Sequence, residues 1–299
     1  MLDRLRRFVS GLTGRAGDRA TTAPLSEKQV ASIQEQNDSH AEIQQLIAAT
    51  GQSIGKQREH NEDSVLSITT TMAGLNSNVP FGLYIVADGM GGHQYGEVAS
   101  NAAVRIIAGQ VLRKFHSYLF TIPTQAPEES LQEIMEEAIN EAHRTVQRDA
   151  PGSGTTVTAA LVLGQQVTVG HVGDSRLYSI QSSGMVEQLT HDHSLVRRLE
   201  ELGHLNKEEA ATYPHRNVLI RALGQGDTIE ADIFTLPFAA GSTLMLCTDG
   251  LWGVISDETI HRTLLDAPSL QRACNTLVVA ANAAGGPDNI SVILVQMIG

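Results

Sequence analysis

The sequence predicts an α+β fold in which helices cover two packed antiparallel β-sheets. Three observations carry this reading. Short runs rich in β-branched residues recur from Gly51 to the C-terminus, helical patterns come in two pairs set between groups of strands, and the regular alternation of a parallel doubly wound sheet is missing. No repeat with a period of roughly 20 to 50 residues marks a solenoid or propeller.

The elements follow in chain order. Met1 to Arg19 holds Arg4, Arg6, Arg7, Arg15 and Arg19 against Asp3 and Asp18, with Leu2, Leu5, Phe8, Val9 and Leu12 at helical spacing. Two readings stay open: a solvated, frayed terminus, which we prefer, and a basic amphipathic helix that contacts a membrane surface or a partner through residues 1–19. A second helical pattern runs from Ser26 to Ala49 through Val30, Ile33, Ile43, Leu46 and Ile47. Residues 1–50, basic and then Gln, Ser and Ala rich, form an N-terminal extension in this reading, and 51–299 the folded domain. Within it, strands are expected at Ser64–Thr70, Leu83–Ala87, Thr156–Leu163, Gln166–Val172, Arg176–Ile180, Ile229–Thr235, Thr243–Cys247 and Ile290–Met297. Amphipathic helices are expected at Glu97–Phe115 and Glu128–Gln147, then at Asp257–Leu265, with Ser256 as N-cap, and Ser269–Ala283.

Composition narrows the function. With 33 Asp and Glu against 21 Lys and Arg the formal charge is −12, which argues against a non-specific nucleic-acid binder. Hydrophobic residues at 41% and charged residues at 18% are ordinary for a globular chain long enough to bury a large core. Cys247 and Cys274 each sit in an apolar segment and make no disulfide framework, which fits a reducing cytosol. No apolar run reaches the roughly 18 residues that span a bilayer, and no apolar signal core opens the chain, so the expected location is cytoplasmic.

The informative feature is where the acids fall. Glu62 and Asp63 precede a strand, Asp88 and Asp249 end apolar strands and are each followed by glycine, Asp174 follows another strand, and Asp288 precedes the last. Glycine beside a carboxylate lets the backbone turn tightly and a carbonyl approach a hard cation. Without His or Cys pairs at ligand spacing zinc is a poor candidate, and Mg2+ or Mn2+ suits carboxylates better. Two such ions about 3.5 to 4 Å apart could activate a water for in-line attack on phosphorus. Arg58, whose planar fork matches phosphate oxygens, is then a natural clamp. Taken singly these residues are background: Asp-Gly at a strand end is more often a turn, and Arg58 a surface arginine. Spacing alone leaves a cation site and a set of ordinary turns equally open.

Order and context change that. The blocks Arg58-Glu59-His60-Asn61-Glu62-Asp63-Ser64, Val86-Ala87-Asp88-Gly89-Met90-Gly91-Gly92-His93, Ser153-Gly154-Thr155-Thr156, His171-Val172-Gly173-Asp174-Ser175-Arg176, Cys247-Thr248-Asp249-Gly250-Leu251-Trp252 and Asp288-Asn289-Ile290-Ser291 run in one order. Together they resemble the bacterial metal-dependent protein phosphatases of type 2C, the PPM family, over about residues 51 to 298. The first two blocks are the most specific and Ser153–Thr156 the least.

The resemblance implies a four-layer α/β-β/α sandwich with a dinuclear Mn2+ or Mg2+ centre at one end. By analogy Asp88 bridges the two ions, the Gly89 carbonyl binds one, Asp249 and Asp288 complete the other, and Glu62 and Asp63 act through water. Arg58 matches the phosphate-binding arginine, and Asp174, with Asp249, the acid that holds a weaker third ion. Gly173 and Gly250 look structural. The implied reaction is single-step hydrolysis of phosphoserine or phosphothreonine in proteins by a metal-bridging hydroxide, opposing a serine/threonine kinase. Met90 stands where animal members carry a histidine that serves the leaving group, so a metal-bound water or His60 takes that part; His93 shapes the Gly-rich loop, and His171 is a core histidine. Leu189 to Arg221 falls at the family's substrate flap, where His191, Asp192, Arg197 and Arg198 are candidate contacts, either as a mobile rim or as a solvated helix-loop-helix.

The rivals are a phosphoprotein-binding pseudophosphatase, disfavoured because Asp88, Asp249 and Asp288 are all kept, and a partner-switching phosphatase acting on an anti-sigma-factor antagonist, which would share the site. A serine hydrolase built on Ser153 or Ser175 lacks the Gly-x-Ser-x-Gly elbow, and no P-loop is present.

Overall fold

The computed structural model describes residues 44–74, 77–91, 95–121, 125–181, 184–211 and 213–298. One sheet has the order β1 (Gln45–Ser53), β11 (Ile290–Ile298), β10 (Thr243–Cys247), β7 (Arg176–Ile180), β8 (Val186–Gln188). The other has β2 (Asp63–Gly74), β3 (Ser77–Met90), β5 (Val157–Leu163), β6 (Gln166–Val172), β9 (Asp232–Pro237), with the short β4 (Gly154–Thr155) paired to the end of β3. Every pairing is antiparallel.

Period-two alternation builds the layers. Along β3, Tyr84 and Val86 face the space between the sheets, while Phe81, Leu83 and Ile85 face outward. The outward face is covered by α1 (Tyr95–Phe120) and α2 (Leu131–Asp149) through Ile107, Val111, Phe115, Ile134, Met135 and Ile139. On β10 and β11, Leu244, Leu246, Ile293 and Val295 point to the inter-sheet core. Met245, Cys247, Val292 and Leu294 point to α6 (Asp257–Asp266) and α7 (Leu270–Ala283), meeting Ile260, Cys274 and Leu277. Three apolar interfaces thus separate four layers. Local signals set the helix starts: Ser130 and Glu133 form a capping box on α2, and Ser256 caps α6 as the sequence predicts.

The expected elements are present with shifted ends, and one changes type. The Ser26–Ala49 helical pattern gives way at Gln45 to β1, which pairs with β11 from Gln45↔Ile298 to Ser53↔Ile290. Leu46 then faces the inter-sheet core and Ala49 the α7 side, so sheet pairing overrides the helix propensity of an Ala-rich run. The folded unit therefore begins before Gly51. Strand β9 starts at Asp232 instead of Ile229, whose side chain packs on the core from a loop. Residues 1–43, with the basic amphipathic pattern and its membrane contact, lie outside the described residues, as do Gly92 and His93. No described helix is long and apolar enough to cross a membrane, and Cys247 and Cys274 are buried and unpaired.

The topology gathers the acids at one end of the sandwich. Asp63 opens β2 directly across from Asp88 at the end of β3. The end of β10 at Cys247 pairs with Val292 near the start of β11 and Arg176 at the start of β7, which brings Asp249, Asp288 and Asp174 to that same end.

Candidate metal centre

Backbone contacts fix Asp88 before any ligand is considered. Its N–H donates to Thr156 Oγ1 at 2.9 Å, and its carbonyl accepts from the Thr156 N–H at 2.9 Å and from Thr155 Oγ1 at 2.8 Å. Thr156 Oγ1 in turn shares a hydrogen bond of 2.7 Å with Ser175 Oγ. The Ser153–Thr156 block, the least specific in the sequence, is thus the brace of the central acid. Gly89 follows where a Cβ would lie 2.1 Å from the Gly96 carbonyl oxygen and 2.7 Å from that of Glu62, so only glycine fits.

Asp249 sits in the first turn of α5 (Asp249–Trp252), and Gly250 lets that turn approach the Asn289 carbonyl, 2.0 Å from a would-be Cβ. Asp63 is buried at 6% exposure and ties the two sheets together. Its Oδ2 accepts from Thr248 Oγ1 at 2.9 Å and Ser291 Oγ at 2.7 Å. Asp288 accepts the Asn289 N–H at 2.8 Å on one oxygen and Arg58 Nη2 at 2.6 Å on the other.

These acids are electrostatically unsatisfied. Burial, then Asp63, Asp249, Asp174 and Asp288, holds Asp88 well above the usual carboxylate range. Burial pushes Asp63 up to about 7, with Asp249 and Asp288 adding to it, and Asp174 up to about 8, with Asp249 and Asp192 adding. Burial and Asp288 push Asp249 up to about 6. Asp63 Oδ1 and Asp249 Oδ1 are buried acceptors without a hydrogen-bond partner. Buried acids that repel one another and keep orphaned oxygens are the donor set a hard divalent cation satisfies. Among the described residues no three His, Cys, Asp or Glu side chains form a ready cage. A small cation that keeps several waters and takes one or two carboxylates needs none.

Arg58, Asp174, Asp249 and Asp288 line a cleft of about 720 Å3 together with Arg176, His191, Arg197 and Trp252. Glu62 does not face it. Its carboxylate lies against Gly96 at the start of α1 and, with His60, lines a separate cavity of about 800 Å3. The 189–221 segment is a mixed outcome. His191 reaches the cleft while paired to Glu201, and Arg197 reaches it while paired to Glu200 at 3.3 Å. Arg198 pairs with Glu201 at 3.2 Å and is not part of the cleft wall. Asp192 also lines the cleft, but at 8% exposure its carboxylate is committed to Arg176 in a two-pronged ion pair. His171 is the core histidine expected, buried between Thr158 Oγ1 and the His191 carbonyl and pushed down to about 4 by burial.

Sequence reasoning missed the part played by Asn289. Its Oδ1 accepts the Glu62 N–H at 2.7 Å, and its Nδ2 donates to the carbonyls of Ile54 at 2.8 Å and His60 at 2.9 Å. This one amide shapes the loop that carries Arg58 and Glu62. Its signal was available as a polar residue flanked by an acid and a strand.

Residues 50–284 match the family profile of protein phosphatase 2C. The chain is 36% identical over 248 residues to the serine/threonine phosphatase stp of Listeria monocytogenes serotype 4b, covering 81% of this chain and 92% of the relative. Its structure is similar to that of the Mycobacterium tuberculosis serine/threonine phosphatase PstP/Ppp, with a TM-score of 0.70 and 31% identity over 85% of this chain and 100% of the other. It is also similar to the catalytic domain of the serine threonine protein phosphatase PstP in complex with two manganese ions, with a TM-score of 0.69 and 30% identity over 86% of this chain and 100% of the other.

Proposed function

The chain belongs to the protein phosphatase 2C family and is a metal-dependent serine/threonine protein phosphatase, and we propose that its acids at the sandwich end are the centre of that activity. Asp88, the Gly89 carbonyl, Asp249 and Asp288 would hold two Mn2+ or Mg2+ ions, with Asp63 reached through water; Glu62, turned to the separate cavity, would reach them only through a longer water chain. Asp174 and Asp249 would hold a third, weaker one. When bound, the ions supply an activated water and neutralise charge developing on the phosphoryl group.

The protein's own groups do the rest. Arg58, with 49% of its side chain exposed, binds the phosphate oxygens through its planar fork and orients phosphorus over the acids. Asp63 keeps Thr248 and Ser291 in register beneath Asp249. The wall formed by His191 and Arg197 receives the polypeptide around the phosphorylated residue, as a substrate flap at 189–221. The catalytic unit runs from Gln45 through Ile298, and the preceding residues form the N-terminal extension. Substrates are phosphoproteins, with a serine/threonine kinase or its targets among them. Two unpaired, buried thiols favour a reducing cytoplasm.

The observation that carries the site assignment is the buried, mutually repelling carboxylate group with orphaned oxygens on Asp63 and Asp249. The test is release of phosphate from a phosphothreonine peptide and from para-nitrophenyl phosphate, in EDTA and after adding back Mn2+ or Mg2+. Activity restored by metal in the wild type but not in Asp88→Ala supports the assignment. Equal activity in both would overturn it.

A further inference from the structure

Trp252, the only tryptophan of the chain, stands three residues after Asp249 and bridges to the loop that carries Asp174. Its indole N–H donates to the Asp174 carbonyl at 3.0 Å. The Arg176 guanidinium lies 3.4 Å from the centre of its ring. Arg176 is fixed in that pose by four further bonds. Nε and Nη2 donate to Asp192 at 2.9 and 2.6 Å, Nη2 being the closer, Nε also reaches the second Asp192 oxygen at 3.2 Å, and Nη1 donates to Tyr178 at 3.0 Å. Asp192 is itself held by Gln188 Nε2 at 2.9 Å. On the other side of Asp174, the His193 N–H donates to the Gly173 carbonyl at 2.7 Å, and the Gly173 N–H to His193 Nδ1 at 3.1 Å. Gly173 has φ +108°, and a Cβ there would meet Thr156 at 2.6 Å, so the loop has little freedom of its own.

We propose that Trp252, Arg176 and Asp192 form a stacked positioning latch that sets the spacing of Asp174 from Asp249 and ties it to the start of the 189–221 segment. The indole is attached to the turn of one acid and hydrogen-bonded to the backbone of the other. The guanidinium pressed on its face is anchored in the segment through Asp192. None of the three touches phosphate or a cation; they act through the position of Asp174. The inference rests on the reading above, in which Asp174 and Asp249 share the weaker ion.

The test is calorimetric titration of Mn2+ into the metal-stripped full-length protein, which reads binding without turnover. The wild type should show tight binding and a separate weaker step that Asp174→Asn removes. Trp252→Phe keeps a ring for Arg176 but removes the N–H donor, and Asp192→Asn keeps the shape but removes the charge that anchors Arg176. Each should weaken the weaker step about tenfold and leave the tight binding within about twofold, as loss of one hydrogen bond or ion-pair contact would. A weaker step unchanged in both variants overturns the latch, and so does a wild type that binds tightly but has no weaker step. Loss of tight binding in the variants overturns it too, since the three residues would then be general scaffold. A wild type that binds no Mn2+ at all would instead sink the metal reading itself, and the latch with it.

Discussion

Replacing Asp63 with asparagine should stabilise the metal-free protein at neutral pH and leave it near wild type at about pH 4. The carboxylate is buried, with one oxygen accepting from Thr248 at 2.9 Å and Ser291 at 2.7 Å and the other without a partner. Burial, aided by Asp249 and Asp288, pushes its pKa from the ordinary 3.8 up to about 7. A carboxyl raised in this way holds its proton more tightly in the folded chain than in the unfolded one. Its stabilising contribution is therefore complete below about pH 4 and is lost as pH rises through about 7. Each pH unit in that window is worth about 1.4 kcal/mol per group, so the whole interval amounts to roughly 4 kcal/mol, spread over Asp63 and the neighbours that titrate with it. Asparagine keeps an oxygen toward the two hydroxyls and never ionises. Asp63→Ala, in contrast, strands two buried hydroxyls at about 1–3 kcal/mol each and should destabilise at every pH. Urea denaturation of EDTA-treated protein between pH 4 and 8, followed by circular dichroism, separates the cases. Saturating Mn2+ should reverse the order, because the ions bind the charged carboxylates of the wild type. If the asparagine variant lost stability with pH as steeply as wild type, or matched Asp63→Ala at pH 7.5, buried charge would not be what this site carries.

Three further outcomes are expected. Asp88→Ala and Asp249→Ala should each lose nearly all phosphate release at saturating Mn2+, and substantial residual turnover would refute the ligand assignment. Arg58→Ala should raise KM about ten- to a hundredfold with kcat little changed, because charge-assisted hydrogen bonds to phosphate are worth about 1.5–3 kcal/mol; an unchanged KM in the steady-state assay counts against the clamp. Asn289→Ala deletes bonds to Glu62, Ile54 and His60, and should lower stability by about 2–3 kcal/mol and raise KM as the Arg58 loop loosens. Denaturation and kinetics on the one variant check both.

Much of this was legible in the sequence because strand ends carry their own punctuation. Asp-Gly after an apolar run places Asp88 and Asp249 at strand ends, but only the order of the six blocks, and the family they resemble, singles them out from ordinary turns; the faces of Leu244 and Leu246 against Met245 and Cys247 appear only with the sheets in place, because the run is apolar throughout. What was not legible depends on long-range pairing. The run Gln45–Ala49 reads as the end of a helix until Ile290–Ile298 lies beside it, some 240 residues later in the chain by the register Gln45↔Ile298 and Ser53↔Ile290. Asp192 reads as a polar rim residue until Arg176 is seen to need it. Thr155 and Thr156 read as an ordinary strand start, and only the fold shows that their hydroxyls brace Asp88.

The partners of the acids fit the proposed reading of this end of the sandwich as a cation site. Asp88 is held through its backbone, whose N–H donates to Thr156 Oγ1, and Asp288 pairs with Arg58, while Asp63 and the other Asp288 oxygen are met by neutral donors: the hydroxyls of Thr248 and Ser291 and the Asn289 N–H. These orient carboxylates without cancelling their charge. Lysine or arginine in the same places would satisfy the acids permanently and shift their pKa values down. Among the described residues of the cleft, Arg176 is committed to Asp192 and Arg197 to Glu200, while Arg58 pairs with Asp288 from an exposed position. Only Nη2 of Arg58 is engaged by Asp288, at an exposed position, so its remaining N–H groups can turn to a phosphate at little cost. In the proposed reading a divalent ion on Asp288 would take over the charge that Arg58 now offsets, so phosphate binding by Arg58 is expected to tighten once the metal is bound.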